Sequence, residues 1–244
     1  MFVSPQPIIT KLQCFFFFFV PADRCGGELF CPANNRCQRR RFAISGTIYL
    51  ARHGTHAEVG HVLSGRSDIA LSERGRAEAD ALARRLGTVP LASLHSSPRP
   101  RTRQTAEAVA SRHALPLQIA PALDEIDFGD FTGRSFADLD ALPDWRRWNA
   151  ERHTARCPDG ETMAEAVERA LAYLMALPEG DCPALCVTHC DIIRGLVTRL
   201  LGLPYDRMFA LECDPGSLTT LQRDQGGLHL ITLNEQPFAT AHSF

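Results

Sequence analysis

The sequence predicts an α/β fold, a three-layer α/β/α sandwich around a mostly parallel central sheet. Two observations carry that expectation. From Thr47 onward, short apolar runs alternate with segments of helical period, the order that builds strand–helix–strand units. The run Ile48-Tyr49-Leu50-Ala51-Arg52-His53-Gly54 then drops an arginine and a histidine off an apolar strand into a glycine turn, where open α/β sheets gather their chemistry.

Thr47 to Ala51 reads as the first strand. Ser72 is placed to cap a helix whose inner face carries Ala79, Leu82, Ala83 and Leu86, with Gly87 stopping it. Leu91 to His95 is a second strand, Arg101 to about His113 a helix, and Leu117 to Ala120 a short third strand. Residues Phe128 to Arg156 form an excursion with short helices near Phe136 to Leu142 and Trp145 to Glu151, separated by Pro143. Thr162-Met163-Ala164-Glu165 has the capping-box pattern and opens a helix whose apolar face holds Val167, Leu171 and Leu174. Ala184 to Thr188 is a buried strand, and the helix Ile192 to Leu201 follows, ended by Gly202 and Pro204. Leu218 to Leu221 and Leu228 to Leu233 make a terminal hairpin across Gly226-Gly227.

A chain of 244 residues divides into residues 1–45, which follow no periodic pattern, and one domain over 46–244. The first segment holds the run Phe15 to Phe19. Phe15 to Ala22 has the length of a signal-peptide core, but its one basic residue, Lys11, comes late, so a leader or an extension from a misplaced start codon is favoured over export. The cytoplasm is the expected compartment. With a formal net charge of -2, nothing points to nucleic acid or a membrane surface as partner, so an anionic substrate must be captured by local arginines. Oligomeric state is not readable. Of the nine cysteines, Cys25, Cys31 and Cys37 fit no standard zinc spacing, and Cys182, Cys186, Cys190 and Cys213 sit near or within apolar strands.

Downstream of Arg52-His53-Gly54 come Ser96-Ser97-Pro98 with Arg101 and Arg103-Gln104-Thr105-Ala106, then Leu123-Asp124-Glu125-Ile126-Asp127-Phe128-Gly129-Asp130-Phe131-Thr132-Gly133, then Val187-Thr188-His189. In this order, over about Thr47 to Leu233, the motifs resemble the histidine phosphatase superfamily, the phosphoglycerate-mutase-like proteins. The resemblance implies a nucleophilic role for His53, a phosphate clamp of Arg52 and Arg101 assisted by His189, and Glu125 as general acid. A neutral imidazole suits in-line attack on phosphorus, and a planar guanidinium pairs two phosphate oxygens. On residue type alone Arg99, Arg101 and Arg103 compete; the family spacing after Ser-Ser-Pro selects Arg101 and leaves Arg99 and Arg103 to the surface. Asp124, Asp127 and Asp130 are rivals of Glu125, Asp127 being the runner-up. Backbone at Ser64-Gly65 is expected near the phosphate. Thr55 and His56 stand where the family carries other residues, and Cys190 where it more often has glycine. Trp145-Arg146-Arg147-Trp148 fits equally a substrate-binding roof or an amphipathic surface helix.

The function so implied is metal-independent hydrolysis of a small phosphomonoester through a phosphohistidine, with no cofactor. The alternatives are a cofactor-dependent phosphoglycerate mutase, an α-ribazole-phosphate phosphatase or, from a different class, a non-catalytic phosphate-binding protein. The Glu-x-x-Phe-Gly form at Glu125 resembles the phosphatase branch more than the mutase branch. No cysteine is followed six residues later by arginine, and no glycine–lysine phosphate loop or acidic metal cluster occurs.

Overall fold

The computed structural model of the chain describes residues 46–237. The expectations for 1–45, including the Phe15 to Ala22 segment and Cys25, Cys31 and Cys37, lie outside the described residues. The sheet has six strands: β1 Gly46–Arg52, β2 Ser93–Ser96, β3 Leu117–Ile119, β4 Ala184–Thr188, β5 Leu218–Asp224 and β6 Gly227–Glu235, in spatial order β3-β2-β4-β1-β5-β6. Neighbours are parallel from β3 to β1, and β5 and β6 close that side antiparallel. The expected, mostly parallel sheet is therefore present.

Side-chain alternation along the central strands splits the core into two layers. Ile48, Leu50, Ala184 and Cys186 face α5 Met163–Met175 and α6 Cys190–Leu200, while Ala51, Leu185 and Val187 face α1 Glu73–Leu86 and α2 Pro100–His113. β4 is buried along its whole length, as a strand covered on both faces must be. Across the α5 and α6 side lies the excursion, with α3 Phe136–Asp140 and α4 Pro143–Ala150.

Local chemistry explains the helix ends. Ser72 Oγ accepts from Gly75 N–H at 3.1 Å, Pro100 occupies the first turn of α2 where its missing N–H costs nothing, and Thr162 with Glu165 completes a reciprocal capping box. The buried Arg223 donates to the last carbonyls of α5, at Met175 (3.1 Å) and Leu177 (2.8 Å). Several boundaries differ from expectation: β5 and β6 run longer, to Asp224 and Glu235, and Pro143 opens α4 instead of separating it from α3. β2 begins at Ser93 rather than Leu91, since Leu91 is buried as core while Ala92 N–H bonds Pro183 outside the ladder. α6 starts at Cys190, two residues early, because His189 is its extended N-cap residue, with φ -122°. Among the described residues no helix is long and apolar enough to cross a membrane.

The turn after β1 packs directly on α1. A Cβ on Gly75 would stand 2.0 Å from Thr55 O, and one on Gly54 2.4 Å from Gly75 O, so both glycines are demanded by backbone contact. Helix propensity alone would make Gly75→Ala stabilising by about 1 kcal/mol. The packing makes the opposite expected: a loss of about 1–3 kcal/mol from overpacking, read as a lowered urea midpoint, whereas Gly180→Ala, which meets nothing within 4 Å, should change little.

Candidate active site

The site is assembled where β1 and β4 end. Arg52 pairs with Thr188 in the parallel ladder and His53 N–H donates to Thr188 O at 3.1 Å, so His53 and His189 leave adjacent strands at the same level, with ring centroids 5.3 Å apart. His53 Nδ1 lies 2.8 Å from Gly54 O. A carbonyl only accepts, so Nδ1 carries the proton and Nε2 keeps its lone pair. Burial first, then the positive charges of Arg101 and Arg52 and the competition of the neighbouring His189 imidazole for a proton, hold the ring well below its usual pKa and therefore neutral.

Two guanidiniums flank it. Arg52 Nη1 donates to Cys213 O at 2.5 Å; Arg101, buried to 1 % exposure, donates to Gly65 O at 2.5 Å, Ser67 O at 2.8 Å and His189 Nδ1 at 3.2 Å. Neither forms an ion pair with a carboxylate among the described residues. Gly65 has φ +47°, and a Cβ there would press on Thr132 Oγ1 at 3.0 Å, so glycine is what lets this carbonyl aim at Arg101. Ser64 Oγ instead donates to Glu58 at 2.7 Å.

His189 is fully buried and sits one layer behind the cavity. Since arginine only donates, His189 Nδ1 is the acceptor and Nε2–H donates to Ser97 Oγ at 2.8 Å, which in turn donates to Asp124 Oδ1 at 3.0 Å. Burial takes the His189 pKa down to about 3 despite the hydrogen bond that links it to Asp124. Burial alone would raise Asp124, yet its bond and charge interaction with His189 and the charge of Arg99 hold its carboxyl below the usual range.

Glu125 lines the same cavity as Arg52, His53, Ser64, Gly65 and Arg101, which encloses about 640 Å³. Burial and the negative charge of Asp191 push its pKa up to about 8, so it holds its proton at neutrality. The rival Asp127 points elsewhere, to Arg66 Nη1 at 2.9 Å. Arg66 and Arg169 also donate to the Glu125 carbonyl, at 3.0 and 3.4 Å, and share Glu161 Oε1. These bonds fix the loop that carries Glu125.

The sequence profile of the histidine phosphatase superfamily (branch 1) matches residues 48–236. The chain belongs to this superfamily. It is 36% identical to the probable phosphoglycerate mutase GpmB of Enterobacter sp. (strain 638) over 163 residues, 64% of this chain and 75% of that protein. It is 30% identical to the adenosylcobalamin/alpha-ribazole phosphatase of Escherichia coli (strain K12) over 201 residues, 78% of this chain and 96% of that one. Among solved structures, mycobacterial glucosyl-3-phosphoglycerate phosphatase superposes with a TM-score of 0.68 at 27% identity, covering 78% of this chain and 99% of the other. This histidine phosphatase is thus an enzyme of the phosphatase and mutase class.

Several residues that shape its site escape a sequence reading. Arg99, expected at the surface, chelates Asp124 through Nε (3.1 Å to each oxygen) and Nη2 (3.0 Å) and so braces the carboxylate behind His189. Thr55 binds Glu78 through both its N–H (2.7 Å) and its hydroxyl (3.0 Å), while His56 lines the cavity with its ring 5.2 Å from that of His53. In the roof the tryptophans of Trp145-Arg146-Arg147-Trp148 turn inward and stack, with centroids 5.5 Å apart, and their arginines point to solvent. The cavity-lining cation of the roof is Arg152, over the Trp148 ring at 4.0 Å and bonded to Asp191 at 3.2 Å. Its position past the end of α4 hides it from any helical periodicity.

His53, His56, His95 and His189 are all held neutral in the fold, with burial the first cause in each. Their unfolded counterparts protonate near 6.5, so stability is present above about that pH and is lost as pH falls below it, His53 and His189 each contributing a slope of up to about 1.4 kcal/mol per pH unit. Glu125 acts in the opposite sense, stabilising below the usual carboxylate range and losing that contribution as pH rises through about 8. Urea midpoints should therefore climb from about pH 5 to about pH 7, four histidines outweighing one glutamate; a flat profile would show that the imidazoles titrate freely.

Proposed function

We propose that this histidine phosphatase hydrolyses small phosphomonoesters, without a metal, through a phosphohistidine on His53 with Glu125 as general acid and base. The observation that carries the reading is the pair of guanidiniums, half-buried Arg52 and buried Arg101, that flank a neutral imidazole while forming no ion pair with a carboxylate among the described residues. Unpaired buried cations are costly, and a phosphoryl dianion is the charge that completes them.

In the first step Nε2 of His53 attacks phosphorus in line as the bond to the ester oxygen breaks, and the Glu125 carboxyl gives its proton to that leaving oxygen. The positive charge left on the ring is met by the Gly54 carbonyl at Nδ1–H. In the second step Glu125, now a carboxylate, takes a proton from water as the water oxygen attacks phosphorus, the nitrogen–phosphorus bond breaks and phosphate leaves. Arg52 and Arg101 carry the charge of the equatorial oxygens throughout. His189, backed by Ser97 and Asp124, assists the phosphate clamp by accepting from Arg101 and holding its guanidinium in place. Gly65, and Ser64 beside it, act by aiming the Arg101 clamp.

A mutase is the second reading, favoured by the relatives named phosphoglycerate mutase, and differs only in where the phosphoryl group of phospho-His53 goes. The α-ribazole phosphatase relative keeps a nucleotide-like ester among the candidate substrates. With p-nitrophenyl phosphate in excess chelator, many turnovers per site are expected, and His53→Ala should lower the rate by at least about four orders of magnitude. Glu125→Gln should cost about 10²–10⁴-fold and remove the fall in kcat/KM that the parent shows above about pH 8. Phosphoglycerate interconversion with no net phosphate release would establish the mutase instead, and binding of the ester with no release at all a non-catalytic binder.

A further inference from the structure

We propose that Cys190 and Cys213 form a thiol pair at the edge of the catalytic cavity that a hydroperoxide converts into a disulfide, disabling the phosphate clamp. Both cysteines line the cavity, and neither has a role in the phosphoryl chemistry above. Cys190 Sγ donates to Cys213 O at 3.7 Å, so the thiol of one residue lies against the backbone of the other, and each thiol is the largest influence on the titration of its neighbour. Contact between the Cys190 thiol and the Cys213 backbone brings the two residues close enough for a disulfide to be formed between them.

Their surroundings assign the roles. Cys190 is the first residue of α6, where free N–H groups and the helix dipole favour a thiolate, and Arg52 and Arg194 add positive charge. Its hydrogen bond to Cys213 is the largest influence, and its pKa falls to about 7. Cys213 is buried to 2 % exposure and its thiol is pushed up, first by the same hydrogen bond and then by burial. One sulfur is thus the accessible nucleophile and the other is held as the protonated resolving thiol. The three other described cysteines offer no comparable pair: Cys157 and Cys186 are buried with raised pKa values, and Cys182 is exposed on the loop before β4.

The reaction balances with the peroxide as sole oxidant. The Cys190 thiolate attacks the outer peroxide oxygen, the O–O bond breaks, and hydroxide or alkoxide leaves to be protonated, giving a sulfenic acid. Cys213 sulfur then attacks Cys190 sulfur, the S–O bond breaks, and the departing hydroxide with the Cys213 proton forms water. The two thiols lose two electrons in all, and the peroxide is reduced by the same two. An external dithiol reverses the step.

The consequence for the site follows from what Cys213 holds. Its carbonyl is the acceptor for Arg52 Nη1, and the segment after it bonds the end of β1 through Gly216 N–H to Arg52 O (3.2 Å) and Arg52 N–H to Ser217 O (3.1 Å). Drawing Cys213 toward α6 moves that acceptor away from the guanidinium.

The test treats the full chain with hydrogen peroxide, maps disulfides by peptide mass spectrometry, and follows p-nitrophenyl phosphate turnover. A Cys190–Cys213 cross-linked peptide is expected, with turnover reduced at least about 100-fold, the scale of losing one preorganised charge donor, and restored by dithiothreitol. Cys190→Ser should form no cross-link and keep its turnover under peroxide; Cys213→Ala, the second variant should Cys190→Ser fold poorly, should stop at a dithiothreitol-reducible sulfenic acid on Cys190. Absence of the 190–213 peptide from oxidised parent, or its presence with full turnover, overturns the proposal. The activity arm rests on the phosphatase reading, but the mass arm does not: a parent without turnover before oxidation refutes that reading and leaves the cross-link to be scored alone.

Discussion

The register between β1 and β4 is the constraint on which everything else in the site depends. Because Arg52 lies opposite Thr188, the residues that follow each strand, His53 and His189, emerge side by side at the same end of the sheet. A slip of one residue would send alternate side chains to opposite faces, burying Arg52 among the apolar contacts of α1 and α2 and separating the two imidazoles. Burial of β4 on both faces makes such a slip expensive, since Leu185 and Val187 would trade places with Ala184 and Cys186, which belong to the other layer. Stability of the sheet and accuracy of the site are thus the same property.

Charge is then placed by contrast between neighbours. Asp124 and Glu125 are adjacent in sequence and both buried, yet their carboxyls are driven in opposite directions. Asp124 faces Arg99, Ser97 and the His189 edge, so its anion is solvated by donors. Glu125 faces the cavity, where the one hydrogen bond to its carboxyl among the described residues is from its neighbour Ile126 N–H at 3.0 Å and Asp191 repels a second negative charge. The extended backbone sends successive side chains to opposite sides, so one dipeptide supplies a permanent anion behind the site and a proton donor within it. Arg66 and Arg169 keep the two sides apart by gripping the carbonyls between them.

What the sequence made legible follows the same physics. Elements set by period and caps, such as the helix opened by Thr162 and Glu165, stand within a residue or two of expectation because their signals are local. The cavity-lining set Arg52, His53, Ser64, Gly65, Arg101 and Glu125 was legible through motif order, since each lies at the end of a strand, on a loop or, for Arg101, in the first turn of a helix, where spacing is fixed. Arg99 was misread because its partner Asp124 lies 25 residues on, and no spacing rule links a helix cap to a loop carboxylate across the sheet. Arg152, Arg66 and Arg169 were invisible for the same reason: each acts through several partners far away in sequence. The position of His189 behind the cavity, bonded to Arg101 and Ser97, likewise needed the tertiary structure.

The roof separates selectivity from chemistry. Phe131 packs edge-on to Trp145, Trp145 stacks on Trp148, and Phe128 meets Trp148 edge-on, so α4 is locked by aromatic contacts from the very segment that carries Glu125. Arg152 extends this stack between Trp148 and Phe209 and spends its charge on Asp191 and Asn149. Arg194 of α6, whose Nε donates to Leu211 O at 2.8 Å, also lines the cavity and has no carboxylate partner among the described residues. The cavity is therefore bounded by a rigid aromatic wall and one uncommitted guanidinium, across from the end of the sheet where Arg52 and Arg101 lie. Changes in α3, α4 or the segment that follows can reshape the wall without touching the β1–β4 register, and that independence lets one catalytic floor serve esters of different shape.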